Sequence, residues 1–168
     1  MPLTLSQIAV PAYVRGLGNL AVILDRGLAY AAEKGFDPAV LLSARLAPDM
    51  HPLSTQVQFV SDGARGCIAR LAGIASPERP YAETSFDELK ARLAWSREFV
   101  QSVPAADIDA GETRQFTVSV QGTPTDFVGR DYLFTFALPN LHFHTTAAYA
   151  ILRHNGAPVG KLDFLGPY

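Results

Sequence analysis

Cysteine is nearly absent from this chain. Of 168 residues only Cys67 carries a thiol, so no disulfide can form within the chain and a thiolate metal cluster has too few donors. Cys67 falls in an apolar helical pattern and reads as a small buried hydrophobe. Charge is scarce as well, at 18% of residues with a net charge of -2, and the basic residues form no run or stripe. That argues against nucleic acid as a partner. No basic cluster opens the chain, where the first Arg or Lys is Arg15, and no uninterrupted apolar run approaches the ~20 residues that span a bilayer. The expectation is a cytoplasmic protein with no membrane partner. There is no G-x-S-x-G, no P-loop and no dinucleotide-binding glycine turn; Arg15-Gly-Leu-Gly18 lies inside a helical pattern.

The 48% of hydrophobic residues is ample for one core in a chain of one-domain length. With so little charge to cover it, such a chain favours a homodimer. Residues 1–168 read as a single domain without repeats or linkers.

Four long helices are legible. Residues 4–34 place Tyr13, Leu17, Leu20, Leu24, Leu28 and Ala31 on one face and stop at Lys34-Gly35. Pro11 kinks this helix or marks its strong start, and Gly16, Gly18 and Gly27 point to close helix approach or plain tolerance. Asp37-Pro38 opens a short helix. Leu53, Val57, Val60, Ala64, Cys67, Leu71 and Ile74 repeat at alternating steps of four and three, the seam of a bundle helix, with Asp49 as its expected N-cap. Ser85-Phe-Asp-Glu88 is a capping box for a third helix that ends at Pro104. Alternation at Phe116, Val118 and Val120, with a turn at Gln121-Gly122, predicts a hairpin within residues 113–128 whose return strand, holding Pro124, is an edge. Residues 130–155 are helical again, kinked or broken at Leu138-Pro139 and ended by Asn155-Gly156. The tail is expected to lie across the bundle and bury Leu162, Phe164 and Leu165. The fold class is therefore all-α, a four-helix bundle with a short β-hairpin inserted before the last helix.

Several stretches carry a family resemblance: Arg45-Leu-Ala-Pro-Asp-Met50, Pro52-Leu53, Gln56-Val57-Gln58 with Asp62, Arg70-Leu71, Ser85-Phe86 with Glu88-Leu89, and Tyr132-Leu133. The most specific are Leu138-Pro-Asn140, Phe143-His144, Ala148-Tyr-Ala-Ile-Leu-Arg153, Asn155-Gly156, Gly160-Lys161 and Asp163-Phe-Leu-Gly166. Together they resemble the bacterial domain-of-unknown-function family DUF1993 along nearly the whole chain. That family is similar in fold to the DinB/YfiT-like metalloenzymes. The resemblance implies an up-down-down-up four-helix bundle, commonly dimeric. It also implies a site of three histidines, one from the second helix and two from an H-x-x-x-H pair on the fourth, with thiol cofactors such as bacillithiol or mycothiol serving some relatives.

The histidines depart from that pattern. At H-x-x-x-H spacing stand Asn140 and His144, and an amide is a weak ligand for zinc or nickel. His142 points about 200° away from His144 on a helix, and His154 lies roughly 15 Å farther along the axis. The second long helix holds no histidine between Leu53 and Ile74; His51 sits just before it, at the surface or an interface near a bundle end. A three-histidine site is therefore read as lost, with His144 a weak metal candidate. No cofactor is expected, though a divalent zinc, nickel or iron ion remains an option. The bland reading of His144 is a buried imidazole hydrogen-bonded to Asn140, Gln56 or Tyr132. His142 reads as a partly exposed helix residue and His154 as a helix C-terminal cap. Asp62 reads as a partner of Arg65 or another surface base. Two functions follow. The first is a dimer that binds a small molecule in a pocket of Asn140, His144, Gln56 and Tyr132, or serves as a scaffold. The second is a metal- or thiol-dependent transferase or hydrolase with altered ligands around His144.

Overall fold

The computed structural model describes residues 2–167. The elements follow the helical periodicity closely. Helix α1 (Leu5–Lys34) starts at a Thr4/Gln7 capping box and ends at Gly35, whose φ of 70° only glycine adopts freely. Helix α2 (Ala39–Ser43) is short; Asp37 accepts the Ala39 N–H at 2.9 Å. Helix α3 (Leu53–Ala72) buries the whole seam from Leu53 to Leu71. Two expectations at its ends fail. Asp49 does not cap it, because Pro52 occupies the N-cap and offers no side-chain acceptor. Ile74 lies beyond the Gly73 stop and is exposed, since the helical phase no longer carries it inward. Helix α4 (Phe86–Ser102) begins at the Ser85/Glu88 box, followed by α5 (Ala105–Asp109).

Strands β1 (Gln115–Val120) and β2 (Thr123–Val128) pair antiparallel from Gln115↔Val128 to Val120↔Thr123. Gln121 and Gly122 both have positive φ, as the tight turn of a two-residue hairpin requires. A lone hairpin is marginal in water. This one is held by Val118, which is buried, and by Phe116 and Phe127, which meet the Tyr132 ring edge-on at 5.1 and 5.4 Å.

The last long helix is continuous but changes winding. Helix α6 (Gly129–Tyr132) passes into a π-helical turn at Leu133–Ala137 and then into α7 (Leu138–His154). Leu138-Pro139 is thus not a break. Proline lacks an N–H and its ring crowds the carbonyl four residues back. The wider turn just before it accommodates both, and the Leu138 N–H donates to the Leu133 carbonyl instead. At the far end the Asn155 amide caps the Ile151 carbonyl at 2.8 Å, a role expected of His154. A short amide one residue past the helix reaches that carbonyl directly, and the His154 side chain is exposed.

The four long helices pack in a ring: α1 touches α4 and α7, and α3 touches the same two. One hydrophobic cluster fills the centre, with Tyr13, Leu17, Leu20 and Leu24 from α1, the α3 seam, Leu89, Leu93 and Val100 from α4, and Ala148, Ile151 and Leu152 from α7. At α1–α7 the glycine expectation resolves by position. A β-carbon on Gly27 would sit 2.8 Å from Leu152 Cδ2, and one on Gly16 3.3 Å from Leu141 Cδ1, while Gly18 faces open space. Helix α1 is long and apolar enough by itself to cross a membrane, with a mean hydropathy of 1.3 over its most apolar window. Its apolar face is nonetheless spent on α4 and α7, as in the core helix of a bundle.

The tail corrects another expectation. Helix α8 (Lys161–Leu165) lies on α1, held by Arg26–Asp163 at 2.8 Å and by the Asn19 amide donating to the Phe164 carbonyl at 2.9 Å. These polar ties fix which face looks inward. Phe164 packs beside Tyr149, and Leu162 and Leu165 stay exposed.

Candidate functional site

Two helices and the hairpin enclose a cleft of about 310 Å³. Helix α3 supplies Phe59, Asp62, Gly63 and Arg70; α6, the π-turn and α7 supply Tyr132, Phe136, Asn140 and His144; β1 covers it with Val118 and Ser119. Gln56, Phe59, Gly63, Gly66 and Arg70 recur at steps of three and four, a stripe one residue out of phase with the buried seam. Gly63 leaves room for the Asn140 amide, whose nitrogen would stand 3.6 Å from a β-carbon there.

The structure brings together all four residues singled out from the sequence, although Gln56 stands behind the wall rather than on it. Buried Gln56 joins two distant imidazole-bearing segments: its amide nitrogen donates to the His51 carbonyl at 3.1 Å, and its oxygen is 2.7 Å from His144 Nδ1. The first bond orients the amide, so the second requires Nδ1–H as donor, and His144 Nε2 is left unprotonated. Of the three partners open to His144, Gln56 is the one used. The Asn140 side chain makes no hydrogen bond among the described residues.

Burial, reinforced by the nearby His51, holds the His144 pKa below its ordinary value. Phe59 separates the two rings, edge-on to His51 and tilted to His144, each centroid 5.0 Å away. Tyr132 is pushed up to about 12 by burial, as is Cys67, so both are neutral at physiological pH and Cys67 is no nucleophile. His142 is exposed on another face of α7.

Replacing Gln56 by Glu is expected to raise the His144 pKa by about one unit or more, because a carboxylate on Nδ1 stabilises the imidazolium. The His144 ring resonances, followed by NMR against pH, check this. In the wild type they titrate below the free-histidine value near 6.5. A titration unchanged in the variant would mean that Gln56 does not engage the ring.

A larger groove of about 530 Å³ adjoins the cleft and shares Asp62 and Arg70 with it. Its charged walls are mostly committed to one another. Asp62 pairs with Arg65 as expected, and also with Arg92 at 3.0 Å, while its other oxygen accepts the Tyr81 hydroxyl at 2.6 Å. The sequence did not mark Phe59 or Arg92, placed His51 at the surface before α3, where it lies, without linking it to His144, and showed Arg70 only as part of a family pattern. The offset stripe on α3 was the available signal for Phe59 and Arg70; nothing local marks His51 or Arg92.

A family model described as a domain of unknown function, DUF1993, matches residues 5–165. The chain belongs to this family. DUF1993 is also the family its sequence resembles. A crystal structure of a DinB family member protein from Shewanella denitrificans is similar to it, with a TM-score of 0.91 and 38% identity, covering 98% of this chain and 93% of that one. No curated protein matches significantly.

The DinB-like fold raises the question of a three-histidine metal site, and the donors in this DUF1993 member do not fit one. Among the described residues no three His, Cys, Asp or Glu side chains come together in a way that could hold an ion. The i−4 neighbour of His144 is Asn140, a weak ligand, and the His51 imidazole lies across Phe59.

Proposed function

We propose that this DUF1993 member is a non-metal, small-molecule-binding DinB-like protein that works as a cytoplasmic homodimer, its ancestral metal position turned into a polar corner of a ligand cleft. One observation carries the reading. The 310 Å³ cleft, at the small end of the range for small-molecule sites, contains an unpaired Asn140 amide and the unprotonated edge of His144 beside the aromatic rings of Phe59 and Phe136. Polar groups without protein partners in a preformed, partly apolar cavity are what a ligand satisfies. The helix ring, in which α1 neighbours α4 and α7, supports an up-down-down-up order within one domain. The scarcity of charge and the family resemblance support the dimer, which sedimentation velocity tests.

The competing reading is a metal- or thiol-dependent enzyme with altered ligands around His144. Elemental analysis of wild type and His144→Ala, after growth with added zinc, nickel and iron, separates the two. Expected is much less than one metal per chain in both proteins, with fragment binding that shifts NMR resonances of Phe59, Tyr132, Asn140 and His144. One metal per chain, lost in His144→Ala, would overturn the binding reading in favour of the enzyme.

A further inference from the structure

We infer that the ligand of this cleft is a small monocarboxylate with an apolar or aromatic body, anchored through its carboxylate by Arg70. This deepens the reading of the cleft as a ligand site and rests on it. Three neighbouring arginines are spoken for. Arg92 holds Glu83 at 2.7 Å and Asp62 at 3.0 Å, Arg65 pairs with Asp62, and Arg79 reaches Glu83 at 3.3 Å. Arg70 lines the cleft and has no carboxylate partner among the described residues. Its one hydrogen bond there goes from Nη1 to the Tyr132 hydroxyl at 3.2 Å, which leaves most donors of the guanidinium fork open.

The backbone makes room for this arrangement. A β-carbon on Gly66 would lie 2.6 Å from Arg70 Nη1, so glycine lets the guanidinium fold back along α3, where the cleft meets the adjoining groove. Among the described residues the only carboxylate on the cleft wall, Asp62, is occupied by Arg65, Arg92 and Tyr81 and does not compete for Arg70. A guanidinium is a permanent cation whose planar fork matches a carboxylate.

The charge count favours a monoanion over a phosphate. Among the described residues Arg70 is the one unpaired cation on the wall, because His144 is held toward its neutral form by burial. A dianion would keep an uncompensated charge in a half-closed site. Phe59, Tyr132 and Phe136 provide surface for an aromatic body. At the other end, His144 Nε2 accepts a hydrogen bond and Asn140 can give or take one. Phe59 and Gly66 are two turns apart on α3, roughly 10 Å. The ligand thus carries a hydrogen-bond donor at the end opposite its carboxylate.

The test uses full-length protein and three probes: 4-hydroxyphenylacetate, its uncharged amide, and 4-hydroxybenzylphosphonate. Binding is followed by NMR titration, including the Arg70 Nε–Hε resonance. Expected is at least about ten-fold tighter binding of the carboxylate than of the amide or the phosphonate, as a charge-assisted bidentate contact supplies. Arg70→Gln should abolish the preference for carboxylate over amide, and Arg70→Lys should restore part of it. A melting temperature for each variant guards against a folding defect. Equal binding of carboxylate and amide within the cleft, or an Arg70→Gln protein that keeps the preference, overturns the carboxylate assignment and leaves the ligand cleft standing. Preference for the phosphonate makes the ligand a phosphate-type anion and overturns the monocarboxylate. If no probe shifts a resonance of Phe59, Tyr132, Asn140 or His144, the carboxylate assignment and the ligand-cleft reading fall together.

Discussion

Arg92→Met is expected to remove about 3–5 kcal/mol of folding stability at neutral pH, the usual consequence of stripping one partner from a buried ion pair. The Arg92 side chain is 0% exposed and Glu83 only 3%. Arg92 holds Glu83 and Asp62 and also donates to the carbonyls of Pro80 and Arg79, both at 2.9 Å. The segment that crosses between α3 and α4 is therefore fastened to the bundle largely by this guanidinium, with Arg65 donating to the Pro77 carbonyl beside it. Burial works against the charge on both partners, yet their bonds outweigh it. The Arg92 pKa is held above its ordinary value, and the Glu83 carboxyl, bonded to Arg92 and Gln58, is held below its own.

The sign of the pH dependence follows. A carboxyl depressed in the folded state contributes stability that is fully present above its unfolded pKa and lost as pH falls through the folded value. Glu83 therefore protects the wild type above about pH 4.5. Without Arg92 the buried carboxylate keeps only the longer Arg79 contact at 3.3 Å and the Gln58 amide at pH 7, and protonation relieves part of its charge. The stability gap between wild type and Arg92→Met should narrow on going from pH 7 to pH 4, and Glu83→Gln should partly rescue the variant at pH 7. Urea unfolding at both pH values measures this. A constant gap would mean that the loss comes from packing rather than from the poorly compensated charge on Glu83.

Gly129→Ala is expected to be comparably severe, costing about 3 kcal/mol or more, because the clash is with backbone rather than a movable side chain. A β-carbon on Gly129 would lie 2.0 Å from the Gly111 carbonyl oxygen, and one on Gly111 2.2 Å from the Leu71 carbonyl oxygen. Three chain segments thus meet backbone to backbone, joined by the Gly129 N–H donating to Arg114 at 2.8 Å and the Arg130 N–H to Glu112 at 3.0 Å. Gly18→Ala is the control. It sits inside α1 with nothing in reach, and it should stabilise by about 0.5–1 kcal/mol through helix propensity alone. Thermal melts of the two variants should move in opposite directions. A harmless Gly129→Ala would show that this junction can give way.

What the sequence disclosed follows from how far each interaction reaches along the chain. Caps and periodicity are local, so Ser85 with Glu88, the α3 seam and the Gln121-Gly122 turn could be read directly. Proline at 139 announced irregularity but not its kind, because a π-turn and a break answer the same missing N–H. Ile74 continued the spacing of α3 past the residue where Gly73 ends it. The site was half legible. Asn140 and His144 share a helical face, and Gln56 was one of three possible partners for the ring. Which partner is chosen, and that Arg70 stands unpaired while Arg92 does not, depends on segments far apart in sequence that only the fold aligns.

The π-turn at Leu133–Ala137 sets the phase of the last helix. In uniform α-helix Tyr132 and His144 would be rotated about 120° apart, and a turn that absorbs one extra residue reduces this to about 20°. The winding defect works like a slipped tooth between two gears. The tyrosine before it and the asparagine and histidine after it come to face one wall, while each half of the helix keeps its own apolar side on the core. Wound as uniform α-helix, the same residues would turn Tyr132 away from Arg70 and His144, whereas deleting one residue within the turn would give a regular helix with the two still in phase. Helical regularity has been given up at one turn so that two otherwise mismatched faces can serve one cavity.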